Sequence, residues 1–90
     1  MVFEWDEAKA KANLRKHRVS FEEASTVYGD PLSLTIDDPV HSKDEDRFIT
    51  IGKSIAGSTL VVMHTDRADH IRIFSARKAT RNEKKDYEEH

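Results

Sequence analysis

The sequence predicts an α+β domain: a small antiparallel sheet with a two-helix hairpin packed on one face and a short C-terminal helix. Three observations predict it. Two segments near the N-terminus follow good N-cap residues and repeat apolar residues at spacings of three and four. Four later runs are short and apolar or strictly alternating, with brief connections between them. A capping box, Thr80-Arg-Asn-Glu83, then opens a charged final segment. With 90 residues there is room for one domain, residues 1–90, around one compact core.

Taken in order, Val2 to Trp5 is a short aromatic and apolar run of strand character, with Trp5 and Phe3 assigned to the core. Asp6 N-caps a helix over about 7–17, whose small interior face pairs Ala10 with Leu14 and Ala8 with Ala12. In VSFEEA, residues 19–24, Ser20 and Glu23 match the S-x-x-E capping box and Val19 is placed to staple Ala24. Phe21, Ala24, Val27 and Tyr28 form the apolar face of this second helix, which Gly29-Asp30-Pro31 ends.

Leu32, Leu34 and Ile36 alternate with Ser33, Thr35 and Asp37, the pattern of a half-buried strand. DDPVHSKDED, residues 37–46, has no apolar period and is expected as an exposed acidic loop. Phe48–Ile51, Leu60–Met63 and Ile71–Phe74 complete the strands, and their short connections favour an antiparallel meander with the helices on one face. Strict alternation puts Ile71, Ile73, Ser75 and Arg77 on one side of the last strand and Arg72, Phe74, Ala76 and Lys78 on the other, unless the strand twists or bulges.

Composition narrows the function. The chain is 37% hydrophobic and 36% charged, so much of its surface is ionised and a covering partner would add to its stability. It has no cysteine, which rules out disulfides and thiolate zinc sites. The longest apolar runs are far too short to span a bilayer and MVFEWDEAK lacks a signal-peptide core, so a cytoplasmic protein is expected. A net charge of −2 conceals an uneven distribution: residues 20–46 carry eight acids against one lysine, whereas residues 47–78 carry six bases against two acids. Residues 1–19 are basic as well, with five bases against three acids, so two basic segments can converge into one positive face.

Three stretches carry a family resemblance: FEWDEAKAKANLRKHRVSFEEA at 3–24, DPLSLTIDDPVHSKDEDRFITIG at 30–52 and HIRIFSARKATRNEKKDYEE at 70–89. In this order and spacing the chain resembles the BrnT toxins of bacterial type II toxin–antitoxin systems. The resemblance implies a RelE-like fold and an endoribonuclease activity, independent of metal, that halts translation. It further implies a BrnA-like ribbon-helix-helix antitoxin that neutralises the toxin in a heterotetramer and carries it to operator DNA.

RNA cleavage without a metal requires a group that takes the 2′-hydroxyl proton, charge that stabilises the phosphorane, and a proton for the leaving 5′-oxygen. Arginine suits the second task through its planar, permanently charged fork. Arg77 and Lys78 lie where the last strand meets the capped helix at Thr80; in the bland alternative, Arg77 pairs with an acid of that helix. Arg47 either clamps phosphate or gates the strand end beside Glu45 and Asp46, and the resemblance favours the clamp.

Lys16 and His17 sit in the last helical turn, where the dipole favours cations, and His17 is the candidate proton carrier. Arg47, Arg77 and His17 are thus the expected catalytic residues, with Lys16, Arg72, Lys78 and Arg81 as RNA contacts. His64 reads as a satisfied, half-buried histidine rather than a base. His41, Asp44, Glu45 and Asp46 match no metal-binding spacing, so neither metal nor cofactor is expected. The competing function is a non-catalytic module that grips an antitoxin and co-represses its own operon.

Overall fold

A computed structural model of the chain describes residues 1–41 and 45–90. Strand β1 (Val2–Glu4) leads to helices α1 (Glu7–His17) and α2 (Phe21–Ser25), and α2 tightens into a 3-10 turn at Thr26–Gly29. Strand β2 (Leu34–Asp37), a 3-10 turn at Pro39–His41, strands β3 (Phe48–Lys53), β4 (Thr59–Arg67) and β5 (His70–Lys78), and helix α3 (Arg81–Glu89) follow. The sheet runs β1-β5-β4-β3-β2. Strands β2 to β5 form the antiparallel meander that their short connections require, but β1 joins β5 in parallel, so the sheet is mixed rather than purely antiparallel. Nearly the whole domain lies between β1 and β5 in sequence, which supplies the long crossover a parallel pair needs.

Side-chain caps set the helix starts. The Asp6 carboxylate accepts from the Ala8 and Lys9 amides at 2.8 and 3.1 Å, and Ser20 Oγ accepts from Glu23 N at 3.0 Å. Glu23 does not complete its box. Its carboxylate instead accepts from Ser54 Oγ at 2.7 Å and ties α2 to the β3–β4 turn. At Thr80 and Glu83 both halves of the box are present.

Alternate residues of the sheet face two separate cores. Leu60, Val62, Ile71, Ile73 and Ala76 pack beneath α1 and α2 against Val19, Phe21, Ala24 and Val27, with Phe3, Trp5 and Tyr28 at the margin. Ile51 and Val61 face the other way and are covered by Tyr87 of α3. The C-terminal helix therefore lies on the opposite face from the hairpin, correcting the expectation of helices on one side. It leaves much of that second face open. At the β2 edge the expected half-burial holds at Leu34 but not at its neighbours: Leu32 is 66% and Ile36 46% exposed.

The inner side of α1 differs from the expected one. Leu14 is half exposed, whereas Asn13 is buried. Strand β1 stops opposite Arg72, so beyond that point the outer edge of β5 lacks a neighbouring strand. Asn13 replaces it: Nδ2 donates to Ala76 O at 2.8 Å and Oδ1 accepts from Ala76 N at 3.2 Å, as a paired strand would. The same amide donates to Val19 O at 2.9 Å and so fixes the α1–α2 connection.

His64, expected half-buried, is fully buried with both ring nitrogens partnered. One ring nitrogen is 2.8 Å from Thr50 Oγ1 and the other 3.0 Å from Asp66, and burial holds its pKa below the ordinary value. Among the described residues no helix is long and apolar enough to cross a membrane.

Two substitutions test this packing. Asn13→Ala strands the Ala76 amide and carbonyl together with Val19 O, and is expected to cost about 2–4 kcal/mol in urea unfolding. Gly52→Ala would set a Cβ 2.6 Å from Val27 Cγ1 and 3.0 Å from Ser33 Cβ, where β3 passes the 3-10 turn. Overpacking there is expected to cost about 1–3 kcal/mol, measured in the same way.

Candidate nucleic-acid interface

A register shift builds the site. Met63 pairs with Ser75 but His64 pairs with Ile73, so Phe74 is the extra residue of a β-bulge in β5. Beyond it the alternation inverts. Ala76 joins Ile71 and Ile73 in the hairpin-side core, while Ser75 and Arg77 turn to the open face with Arg72 and Phe74. This corrects the strict alternation that grouped Ile71, Ile73, Ser75 and Arg77. Arg77 stands on the open face beside Val61 for that reason, and not because the core ends there.

Where α1 passes the outer edge of β5, a cleft of about 420 Å3 opens. Lys9, Asn13, Lys16 and His17 of α1 line one wall. Met63, Phe74 and Ser75 form the floor, and Asp38 and Arg47 complete it from the β2–β3 connection. Phe74 seats the cations: the Arg47 guanidinium carbon lies 4.1 Å above the ring centroid and the Lys9 ammonium 5.6 Å from it. Stacking of this kind orients a guanidinium. Asp38 N donates to Arg47 O at 2.9 Å, holding the start of β3 at the rim.

The expected site residues fall into two groups. Arg47, His17 and Lys16 meet at the cleft. Arg77 lies further along β5, where its guanidinium binds both oxygens of Glu83 at 2.7 and 2.8 Å. Its pairing with an acid of the terminal helix is the bland alternative weighed from the sequence. Lys78 is exposed on the hairpin side of β5 and Arg81 is exposed at the start of α3, both beyond that ion pair. Arg72 shares the open face with Phe74 and stands 3.9 Å from Glu4. Glu45 pairs with Arg67 at 3.1 Å.

Sequence reasoning missed Lys9, Asn13, Asp38 and Phe74. One signal was available for Phe74: buried apolar residues shift from odd positions at 71 and 73 to an even one at 76, which a bulge requires. Asp44, one of the four residues weighed as a metal cluster, lies outside the described residues. Among the described residues no group of three His, Cys, Asp or Glu is arranged to hold a metal ion.

A small mixed sheet with a helix hairpin on one side and a cleft lined by Lys9, Lys16 and Arg47 at its open face defines the class: a small α+β protein. Residues 5–83 match the family described as "Ribonuclease toxin, BrnT, of type II toxin-antitoxin system", and the chain belongs to that family. The fold is also that of the crystal structure of the Brucella abortus ribonuclease toxin BrnT. The match covers 90% of this chain and 100% of the other at a TM-score of 0.64, with 20% sequence identity. No curated protein matches the chain.

The Arg77–Glu83 pair carries a pH signature. Two guanidinium N–H groups, assisted by the Thr80 amide, lower the Glu83 carboxyl from 4.5 to about 2. The stabilisation is complete above the unfolded value of 4.5 and is lost as pH falls from there to about 2. Neither side chain is more than 31% exposed, so about 1–3 kcal/mol is expected after screening. Wild-type stability should fall more steeply than that of Glu83→Gln across this window in urea unfolding at stepped pH.

Proposed function

We propose that this chain is a metal-independent endoribonuclease whose active site is the cleft around Phe74. The observation that supports it most strongly is Arg47 seated on the Phe74 ring within a wall of Lys9, Lys16 and His17. The 2′-oxygen of the RNA attacks the adjacent phosphorus and the bond to the 5′-oxygen breaks. A 2′,3′-cyclic phosphate and a 5′-hydroxyl result. His17 takes the 2′-hydroxyl proton, Arg47 stabilises the charge gathering on the phosphorane, and an ammonium of the wall protonates the leaving oxygen.

Lys16 and Arg72 hold the flanking backbone, and Lys78 and Arg81 extend the positive track past the end of β5. Arg77 was expected to be catalytic. With its fork committed to Glu83, we assign it to fixing the strand-to-helix exit that carries those cations. In the cell such an enzyme would act in the cytoplasm, inhibit translation, and be neutralised by a BrnA-like ribbon-helix-helix antitoxin in a heterotetramer that alone contacts operator DNA.

Arg47→Ala is expected to lower the RNA cleavage rate by about 100- to 1,000-fold, the loss typical of removing a transition-state charge. Cleavage by the wild type should persist in excess chelator. If the substitution leaves the rate intact, or chelation abolishes cleavage, the assignment is wrong. RNA left uncut at every protein concentration would favour the non-catalytic co-repressor.

A further inference from the structure

The β2 edge is an unusual surface for so polar a chain. It is the last strand of the sheet, and among the described residues no strand flanks it. Asp38 N donates inward to Arg47 O, which makes 38 and 47 a hydrogen-bonded pair. By antiparallel alternation Ile36 and Leu34 also bond inward, while Thr35 and Asp37 aim their N–H and C=O groups away from the sheet. Large apolar side chains cluster on and beside this edge: Ile36 within it, Leu32 just before it at 66% exposure and Val40 just after it at 83%. Exposed apolar groups beside unpaired backbone are what natural edge strands normally avoid.

The two faces of β2 differ in chemistry. Leu34 and Ile36 share the open face with their partners Ile51 and Ile49, whereas Thr35 and Asp37 share the hairpin side with Thr50 and Phe48. An added strand must match both faces. Opposite Ile36 it needs an apolar residue, and opposite Asp37, inside a segment of net charge −7, it needs a cation. A second copy of this chain fails that requirement, since pairing β2 with itself would bring two such acidic segments together.

We propose that the β2 edge receives an extended segment of a partner protein in which apolar residues alternate with lysine or arginine, added as a sixth strand. Main-chain bonds to Thr35 and Asp37 supply affinity, and the alternation supplies specificity. The edge follows from geometry alone; identifying the segment as part of the antitoxin rests on the proposed function.

The probe is a ten-residue peptide alternating valine and lysine, compared with one alternating valine and glutamate. The Val/Lys peptide is expected to bind this chain and slow hydrogen exchange at the Thr35 and Asp37 amides, with no such effect from Val/Glu. Asp37→Lys should weaken binding at least 10-fold. Thr35→Pro, which removes an outward N–H, should abolish it while RNA cleavage stays at the wild-type rate. Ile36→Lys, a change at an exposed position, provides the same loss should the proline variant fail to fold. Equal binding of both peptides, absence of protection at 35 and 37, or a homodimer in sedimentation that Ile36→Lys dissociates would overturn the proposal. Loss of RNA cleavage by wild type under the proposed conditions would count against the active site alone and leave this edge untouched.

Discussion

The bond from the Asn13 side chain to the backbone of Ala76 is the constraint on which the rest of the architecture depends. A five-stranded sheet whose first strand has three residues leaves most of β5 without an outer neighbour, and an unpaired edge invites misassociation. A buried amide can stand in for one residue of a strand because it offers one donor and one acceptor in nearly the same geometry. This single substitution of side chain for backbone lets α1 approach the edge of β5 and brings its cationic last turn to the sheet. Without it, Lys16 and His17 would belong to a helix end facing solvent.

The bulge at Phe74 lies two residues from that contact, and the two features are coupled. An inserted residue turns Ala76 inward, where Asn13 meets it, and turns Phe74 and Ser75 outward, where they floor the cleft. Remove the insertion and the parity of everything after it reverses: Arg77 would point into the hairpin-side core and Ala76 into solvent. The site is thus a consequence of how the strand edge is closed. The same geometry seats Arg47, because the Phe74 ring turned to the open face gives its guanidinium a surface to lie on.

Elements governed by local rules were legible in the sequence. The α1 boundaries follow from Asp6 and from the stop before Arg18, and the α3 start follows from Thr80 and Glu83. These depend on neighbours within one turn. The inward rotation of α1 was not legible, because apolar periodicity favours Leu14 over Asn13 and nothing local reveals that β5 needs a donor and an acceptor. Nor was the position of β1, whose parallel partner lies some seventy residues away. Alternation likewise overstated the burial of β2: period-two patterning says that a strand has two unlike faces, but not that any layer will cover the apolar one.

Arg77, expected among the catalytic residues, has its fork engaged by Glu83. Sequence spacing put a permanent cation at the exit of the last strand, and the structure keeps it there on the open face. Yet Glu83 lies three residues into the capping box, and its carboxylate serves the Thr80 amide and the guanidinium together. A carboxylate so engaged stays ionised well below neutrality and holds the guanidinium fork at the β5–α3 exit. Arg47 lies over the Phe74 ring, a face that orients a guanidinium. Two arginines at one sheet therefore differ in setting: Arg77 is forked by Glu83 of α3, and Arg47 is stacked over Phe74 of β5.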